Sequence, residues 1–214
     1  MRVGWDLDGV FYDIVGALRD YLVADRGFSR ERLVEPTTYH FAHEWGMSEE
    51  AFWSHHDRAV CQNNIYAQWM YAIGEPAAAM DIVTSHGGVN YIVTARDPDL
   101  LGVKHQTKQW LYNEIMPCEA SIRFEPKKYK VEMDFFLDDN PEVCYNLIEA
   151  GCEAVLYDQP WNRDAVSLPR VHCFHRKYIL WQVNFFDYLE VIYFIIIFVI
   201  IEYSCLSYPR FKYN

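Results

Sequence analysis

The chain has 214 residues, is 51% apolar and 17% aromatic, and carries a net charge of −11. That length accommodates one domain with a sizeable core, or a core with a small cap, and the composition is globular rather than disordered. So acidic a chain is a poor match for a protein that wraps nucleic acid, which needs clustered Lys and Arg; a small phosphate ester held at one local positive site with a metal stays open.

Residues 2–6 read as a short buried strand. The stretch WDLDGVFYD puts Asp6 and Asp8 directly behind it. Residues 13–26 read as a helix, with Ile14, Leu18, Tyr21 and Leu22 at helical spacing and Gly27 as its C-cap. Strand signal then disappears from 28 to 75. Within that span SEEAFWSHHDRAVCQ reads as a helix, with Ser48 as N-cap and Glu49 and Glu50 in the first turn. The span is rich in aromatics: Tyr39, Phe41, Trp45, Phe52, Trp53, Tyr66, Trp69 and Tyr71. After Pro76 the pattern becomes regular. A helix is expected over 77–85, broken by Gly87 and Gly88, then a strand over 89–93 that ends at Thr94-Ala95-Arg96. A helix over 100–113 and strands over 121–124 and 134–137 follow, the last ending at Asp138-Asp139. A helix over 141–150 has Pro at its first turn and Gly151 beyond it, and a strand over 153–157 closes the series. Strands alternating with helices predict an α/β fold: a Rossmann-like three-layer sandwich with a parallel central sheet. Ligands of such sheets sit outside the carboxyl ends of the strands, where Asp6, Asp8, Thr94, Asp138 and Asp139 all fall.

That constellation suits a phosphate monoester. Asp6, first after its strand, is placed to attack phosphorus in line. Asp8, on the following loop, would protonate the leaving oxygen and then take a proton from water. It has to begin protonated, a state favoured by a neighbouring carboxylate and by the incoming phosphate. Gly9 lets the chain turn away without a side chain in the site. Asp6, Asp8, Asp138 and Asp139 form an oxygen-rich ligand set for Mg²⁺, which relieves the repulsion between two anions. Thr94 and Ala95 are the phosphate-binding pair, and Lys128 in EPKKYK supplies a point charge to nucleophile and phosphoryl group.

DLDGV, a strand ending in Thr, a Lys, and an apolar strand ending in DD occur here in that order. This pattern resembles the haloacid dehalogenase-like (HAD) phosphohydrolases, whose four motifs fall on Asp6 with Asp8, Thr94, Lys128, and Asp138 with Asp139. The resemblance covers roughly residues 1–175. DGVFYD, TARD, LDDNPE and DQPWNRD are similar to the 5'(3')-deoxyribonucleotidase group and related small bacterial and phage proteins. It implies a Mg²⁺-dependent 5'-nucleotidase working through an aspartyl-phosphate. It also implies a small helical cap inserted after the first strand, with core at 1–15 and 76–180, cap at 16–75, and an atypical tail at 181–214. The family's Lys lies ten residues before the DD pair, which favours Lys128 and keeps Lys130 as an alternative. Stacking of the base on cap aromatics is implied, with Tyr39, Phe41 and Trp45 as candidates and Phe11 and Ile14 from the core side. The expected partners are a small phosphate ester (a nucleotide), no nucleic-acid polymer, and a second copy of the chain as a candidate homodimer.

Plainer readings stand beside these. An EF-hand loop fails because Val10 and Ala17 occupy positions that need ligands. His55-His56-Asp57 is similar to the HD pair of metal-dependent phosphohydrolases, but no further spacing supports it and a hydrated helix face is the better account. Arg96 is expected in a salt bridge with Asp97 or Asp99, and Trp161 as a packing anchor under the last loop. A sugar-phosphate phosphatase, a non-catalytic binding module and a membrane-tethered form are the alternatives. The six cysteines show no CxxC pair, and Asp6 and Asp8 interrupt the opening apolar run, so no signal peptide is read and a cytoplasmic, reduced protein is expected. VIYFIIIFVII, residues 191–201, would reach about 16 Å as a helix, roughly half a bilayer core. A terminal element packed on the core, an aggregation-prone extension, a frameshifted end and a membrane anchor all compete for it, the anchor not being favoured.

Overall fold

The computed structural model describes residues 1–115 and 120–172. The expectations for the tail lie outside those residues.

A six-stranded, wholly parallel sheet forms the centre. Its strands are β1 (Arg2–Trp5), β2 (Val89–Thr94), β3 (Ala120–Phe124), β4 (Phe135–Asp138), β5 (Glu153–Tyr157) and β6 (Arg170–Val171), in the order β3-β2-β1-β4-β5-β6. The chain winds outward from β1 to β3, then restarts at β4 beside β1 and winds the other way. The reversal leaves a crevice at the carboxyl ends of β1 and β4, where such sheets place their ligands. β6 is short, at the edge, and carries no sequence signal of its own.

Both faces of the sheet are covered, and the pleat explains how. On β4, Phe135 and Leu137 enter the larger core while Phe136 enters the smaller one; on β5, Val155 and Tyr157 oppose Ala154 and Leu156 in the same way. A near-continuous apolar strand is what a sheet buried on both faces requires. Gly4 serves this packing, because a Cβ there would collide with the Phe136 ring. Helix α5 (Pro141–Glu149) packs on β4 and β5 and supplies Cys144 and Leu147 to the smaller core. Helices α3 (Pro76–Ser85) and α4 (Val103–Ile115) pack together on the other face. The buried polar side chain of Asn90 in β2 is fully used: it accepts from Trp5 Nε1 at 2.9 Å and donates to Thr84 Oγ1 and the Met80 carbonyl, both at 3.0 Å.

Between β1 and β3's neighbour β2 lies the helical insertion. Helix α1 (Ile14–Arg26) starts at Asp13, whose side chain accepts from Gly16 N–H, and stops at Gly27 in the left-handed region. Helix α2 (Glu49–Asn63) is capped by Ser48, which accepts from Ala51 N–H. Gly27 and Ser48 are the stop and start signals read from sequence, while Asp13, read there as the first helical residue, is the cap itself. The rest of the insertion is single-turn helices and loops, and α1 packs on α2. No helix among the described residues is long and apolar enough to cross a membrane.

Candidate active site

Strand register assembles the acidic cluster. Trp5 pairs with Leu137, and the Asp6 N–H continues the ladder by donating to the Leu137 carbonyl at 2.9 Å. That sets Asp6 beside Asp138, the last residue of β4. Asp6, Asp138 and Asp139 each bring a carboxylate oxygen to within 4.8 Å of the others, and all three are buried. Lys128 reaches both strands: its Nζ lies 2.7 Å from Asp6 Oδ1 and 2.7 Å from Asp138 Oδ2. Of the two lysines left open by sequence, Lys128 is the buried one in the cluster and Lys130 is exposed to solvent. Asp138 is also fixed by Asn140 N–H at 2.9 Å, and Asp139 by Trp161 Nε1 at 2.9 Å.

Three buried carboxylates face one ammonium, and the electrostatics register the imbalance. Burial pushes the Asp6 carboxyl up to about 7, the charges of Asp138 and Asp8 adding to it and Lys128 opposing. Burial, then Asp6 and Asp138, holds Asp139 well above the usual carboxylate range. Burial would lower Lys128, but the attraction of Asp138 and Asp6 outweighs it and the ammonium is held above its ordinary value. A divalent cation balances such surplus negative charge, and an all-oxygen donor set suits a hard ion. The residues present therefore fit a metal.

Gly9 completes the turn behind Asp8. Its φ is +81°, and a Cβ there would collide with the Asp139 carboxylate. Only glycine satisfies both demands. Thr94, at the end of β2, is buried at the floor of the same crevice and receives the Arg96 N–H on its Oγ1 at 3.3 Å.

A cavity of about 600 Å³ opens over this floor. Asp6, Asp8, Thr94, Ala95, Lys128, Asp138 and Asp139 line it from the sheet. Ile14, Tyr39, Phe41, Phe52, Trp53, His56 and Tyr66 line it from the helical insertion, with Tyr39 close to the carboxylates and Tyr66 against the Arg96 that holds Asp8. Of the proposed stacking residues, Tyr39, Phe41 and Ile14 thus face the cavity. Phe11 and Trp45 do not. Both are fully buried: Phe11 lies 5.3 Å from the Trp5 ring, and Trp45 donates its Nε1 to the Val34 carbonyl at 2.8 Å behind Phe41. Large rings near a site fill the core before they face a ligand, and spacing alone does not separate the two.

Three further expectations are corrected, and that for Trp161, which packs against the core as expected, is extended. Asp8 lies outside the carboxylate cluster, and the charge facing it is a guanidinium rather than another carboxylate. Arg96 pairs with Asp8, not with Asp97 or Asp99: its Nε donates to Asp8 Oδ2 at 2.8 Å and its Nη2 to Asp8 Oδ1 at 2.6 Å. His56 is not on a hydrated face but lines the cavity, bonded to Tyr66 Oη at 2.8 Å and to Asp57 Oδ1 at 3.0 Å. Trp161 lines the cavity too, and holds Asp139 as well as packing. Among the described residues His55, His56 and Asp57 form no metal-competent group. The Arg96–Asp8 pair spans 88 positions, and local sequence carries no signal for it.

Fold and acidic cluster together define an HAD-type phosphohydrolase. The sequence model of the family described as "5' nucleotidase, deoxy (Pyrimidine), cytosolic type C protein" matches residues 1–184, and the chain belongs to that family. No curated protein sequence matches. Among solved structures, the chain is similar in fold to a hydrolase from Pseudomonas syringae, at 14% identity and a TM-score of 0.51, covering 88% of this chain and 100% of that one. It is similarly like an HAD-superfamily hydrolase, subfamily IA, variant 1, from Geobacter sulfurreducens, at 14% identity and a TM-score of 0.50, covering 85% of this chain and 95% of that one.

Proposed function

We propose that the protein is a Mg²⁺-dependent 5'-nucleotidase that hydrolyses nucleoside 5'-monophosphates, deoxy ones by preference. The observation that carries this reading is the shared cavity, lined both by carboxylates and Lys128 and by the rings of Tyr39, Phe41, Phe52 and Trp53. A nucleotide is polar at its phosphate and flat and aromatic at its base, and that cavity offers both kinds of surface. The family description, which names a deoxy-pyrimidine 5'-nucleotidase, supports the same substrate class.

In this reading Asp6, Asp138 and Asp139 hold the Mg²⁺, which would neutralise phosphate charge and so let an anionic nucleophile approach. Asp6 attacks phosphorus. As the Asp6–phosphorus bond forms, the ester oxygen leaves and takes a proton from Asp8. Water then attacks the aspartyl-phosphate, gives its proton to Asp8, and releases phosphate and Asp6. Lys128 fixes the Asp6 carboxylate and offsets charge on the phosphoryl oxygens, and Thr94 and the Ala95 backbone hold one of those oxygens. We assign residues 1–15 and 76–180 to the core and 16–75 to a cap that shuts over the substrate and excludes water. The free thiols of Cys61, Cys144 and Cys152 agree with a reducing, cytoplasmic setting.

A panel of phosphate esters tests the substrate class. Deoxynucleoside and ribonucleoside 5'-monophosphates, sugar phosphates and p-nitrophenyl phosphate are compared by kcat/KM with Mg²⁺ and with EDTA. A deoxynucleotide preference that EDTA abolishes is expected. Preference for a sugar phosphate overturns the nucleotidase reading, and turnover that survives EDTA overturns the metal.

A further inference from the structure

The Arg96 guanidinium is immobilised on every side. Its Nε and Nη2 grip both oxygens of Asp8, and its Nη1 donates to Thr107 Oγ1 at 3.0 Å. Its plane lies against Tyr66, with the Cζ atom 3.6 Å from the ring centroid, and Tyr12 stands on it at 5.0 Å. Tyr66 is itself held, through its hydroxyl by His56 and through its N–H by Gln106 Oε1 at 3.2 Å. Tyr12 is anchored by its hydroxyl on the Ile65 carbonyl. The Arg96 side chain is 1% exposed while that of Asp8 is 24% exposed, so the fork grips the carboxyl from behind and leaves its other lone pairs open to the cavity.

We propose that Arg96 is a positioning residue for Asp8, fixing the carboxyl where it hands a proton to the leaving oxygen. The inference rests on the acid role proposed for Asp8. Three of its five N–H groups are already engaged, two of them on Asp8, and the side chain is 1% exposed, so little of it is open to a substrate phosphate. A planar fork fixes a carboxyl in two directions, whereas an ammonium supplies charge without orientation. A displacement of about 1 Å in a reacting group costs about a hundredfold in rate. The rings of Tyr12 and Tyr66, together with Thr107, take up the orientation of Arg96 itself, and Tyr66 comes from the insertion. The proton donor is thereby tied to the cap side of the cavity as well as to the sheet.

The test varies the leaving group and nothing else. p-Nitrophenolate departs without a proton, whereas phenolate is far more basic and needs one. Wild type, Asp8→Asn, Arg96→Lys and Thr107→Val are compared by kcat/KM on p-nitrophenyl phosphate and phenyl phosphate, with circular dichroism as a check on folding. Asp8→Asn is expected to lose about a hundredfold or more on the phenyl ester and much less on the nitrophenyl ester. Arg96→Lys is expected to show the same bias, at least about tenfold between the two esters, and Thr107→Val the same bias in smaller measure. Equal losses on both esters for Arg96→Lys, as a disrupted fold or a lost phosphate ligand would give, overturn the proposal. So does the absence of any loss. Should Asp8→Asn itself show no bias, the acid role falls, and the positioning role with it. A bias in Asp8→Asn without one in Arg96→Lys sinks Arg96 alone.

Discussion

The lining that the sheet supplies, the sheet end, and the lining that the insertion supplies, the cap end, are built in different ways. At the sheet end, Asp6, Thr94, Lys128, Asp138 and Asp139 are each 6% exposed or less; the four besides Lys128 sit at or next to a strand terminus, and Lys128 reaches them from the single-turn helix Lys128–Lys130. At the cap end, Tyr39 is 44% exposed and Trp53 is 53% exposed, on a loop and a helix face. The sheet end is fixed by ladder register, so a residue there cannot move without breaking backbone pairing. The cap end is held by ring contacts, such as Phe41 against Phe52 at 5.2 Å and Phe52 against Trp53 at 5.3 Å, which tolerate rearrangement. In the proposed function, chemistry that needs fixed geometry is assigned to the rigid end and recognition of the variable group to the adaptable one.

The sharpest way to separate the two ends is to disable one. Asp6→Asn removes the proposed nucleophile while keeping shape, and kcat with every ester is expected to fall by about a thousandfold or more. Steady-state assays on a nucleotide and on p-nitrophenyl phosphate should fall together. A loss confined to the nucleotide would assign Asp6 to recognition instead.

Lys128→Met leaves three buried carboxylates with no ammonium between them. Breaking a buried charge set costs about 3–5 kcal/mol, so the denaturation midpoint in EDTA should drop accordingly. Mg²⁺ is expected to restore part of the loss, because it supplies the missing positive charge. Urea unfolding with and without Mg²⁺ measures both.

The same surplus charge gives the sheet end a pH signature. Asp6 holds its proton up to about 7 in the folded chain, against 3.8 for the free side chain. Between those values the folded state binds more protons than the unfolded one, so this group makes stability fall as pH rises through that window. Lys128 draws the Asp6 value down while the charges of Asp138 and Asp8 push it up, and Asp139, itself held well above the ordinary range, adds to the same trend. Thermal melts in EDTA should show a falling Tm from about pH 5 to about pH 8, and Mg²⁺ should flatten it. A Tm in EDTA that rises over this range would mean that the cluster is already balanced without a metal.

The smallest effect belongs to the cap end. Phe41→Ala and Trp53→Ala remove ring surface facing the cavity and should raise KM for a nucleotide by about tenfold, roughly 1.4 kcal/mol of binding. On p-nitrophenyl phosphate the change should be markedly smaller. Equal changes on the two substrates would show that the rings do not read the base.

Sequence alone specified the sheet end almost completely. Apolar runs marked the strands, and Asp6, Thr94, Asp138 and Asp139 follow those runs immediately, so finding the strands located the residues. Ser48 and Gly27 worked the same way for helix ends, because a cap bonds to groups within five residues of it. Tertiary structure alone decided the contacts that cross the chain. Arg96 finds Asp8 rather than the nearby Asp97, His56 turns inward onto Tyr66, and Trp45 and Phe11 go to the core while Phe41 faces the cavity. Local pattern encodes backbone periodicity and hydrogen bonds between near neighbours. The choice among several possible partners for a side chain depends on which elements the fold brings together, and that is settled by burial and charge across the whole molecule.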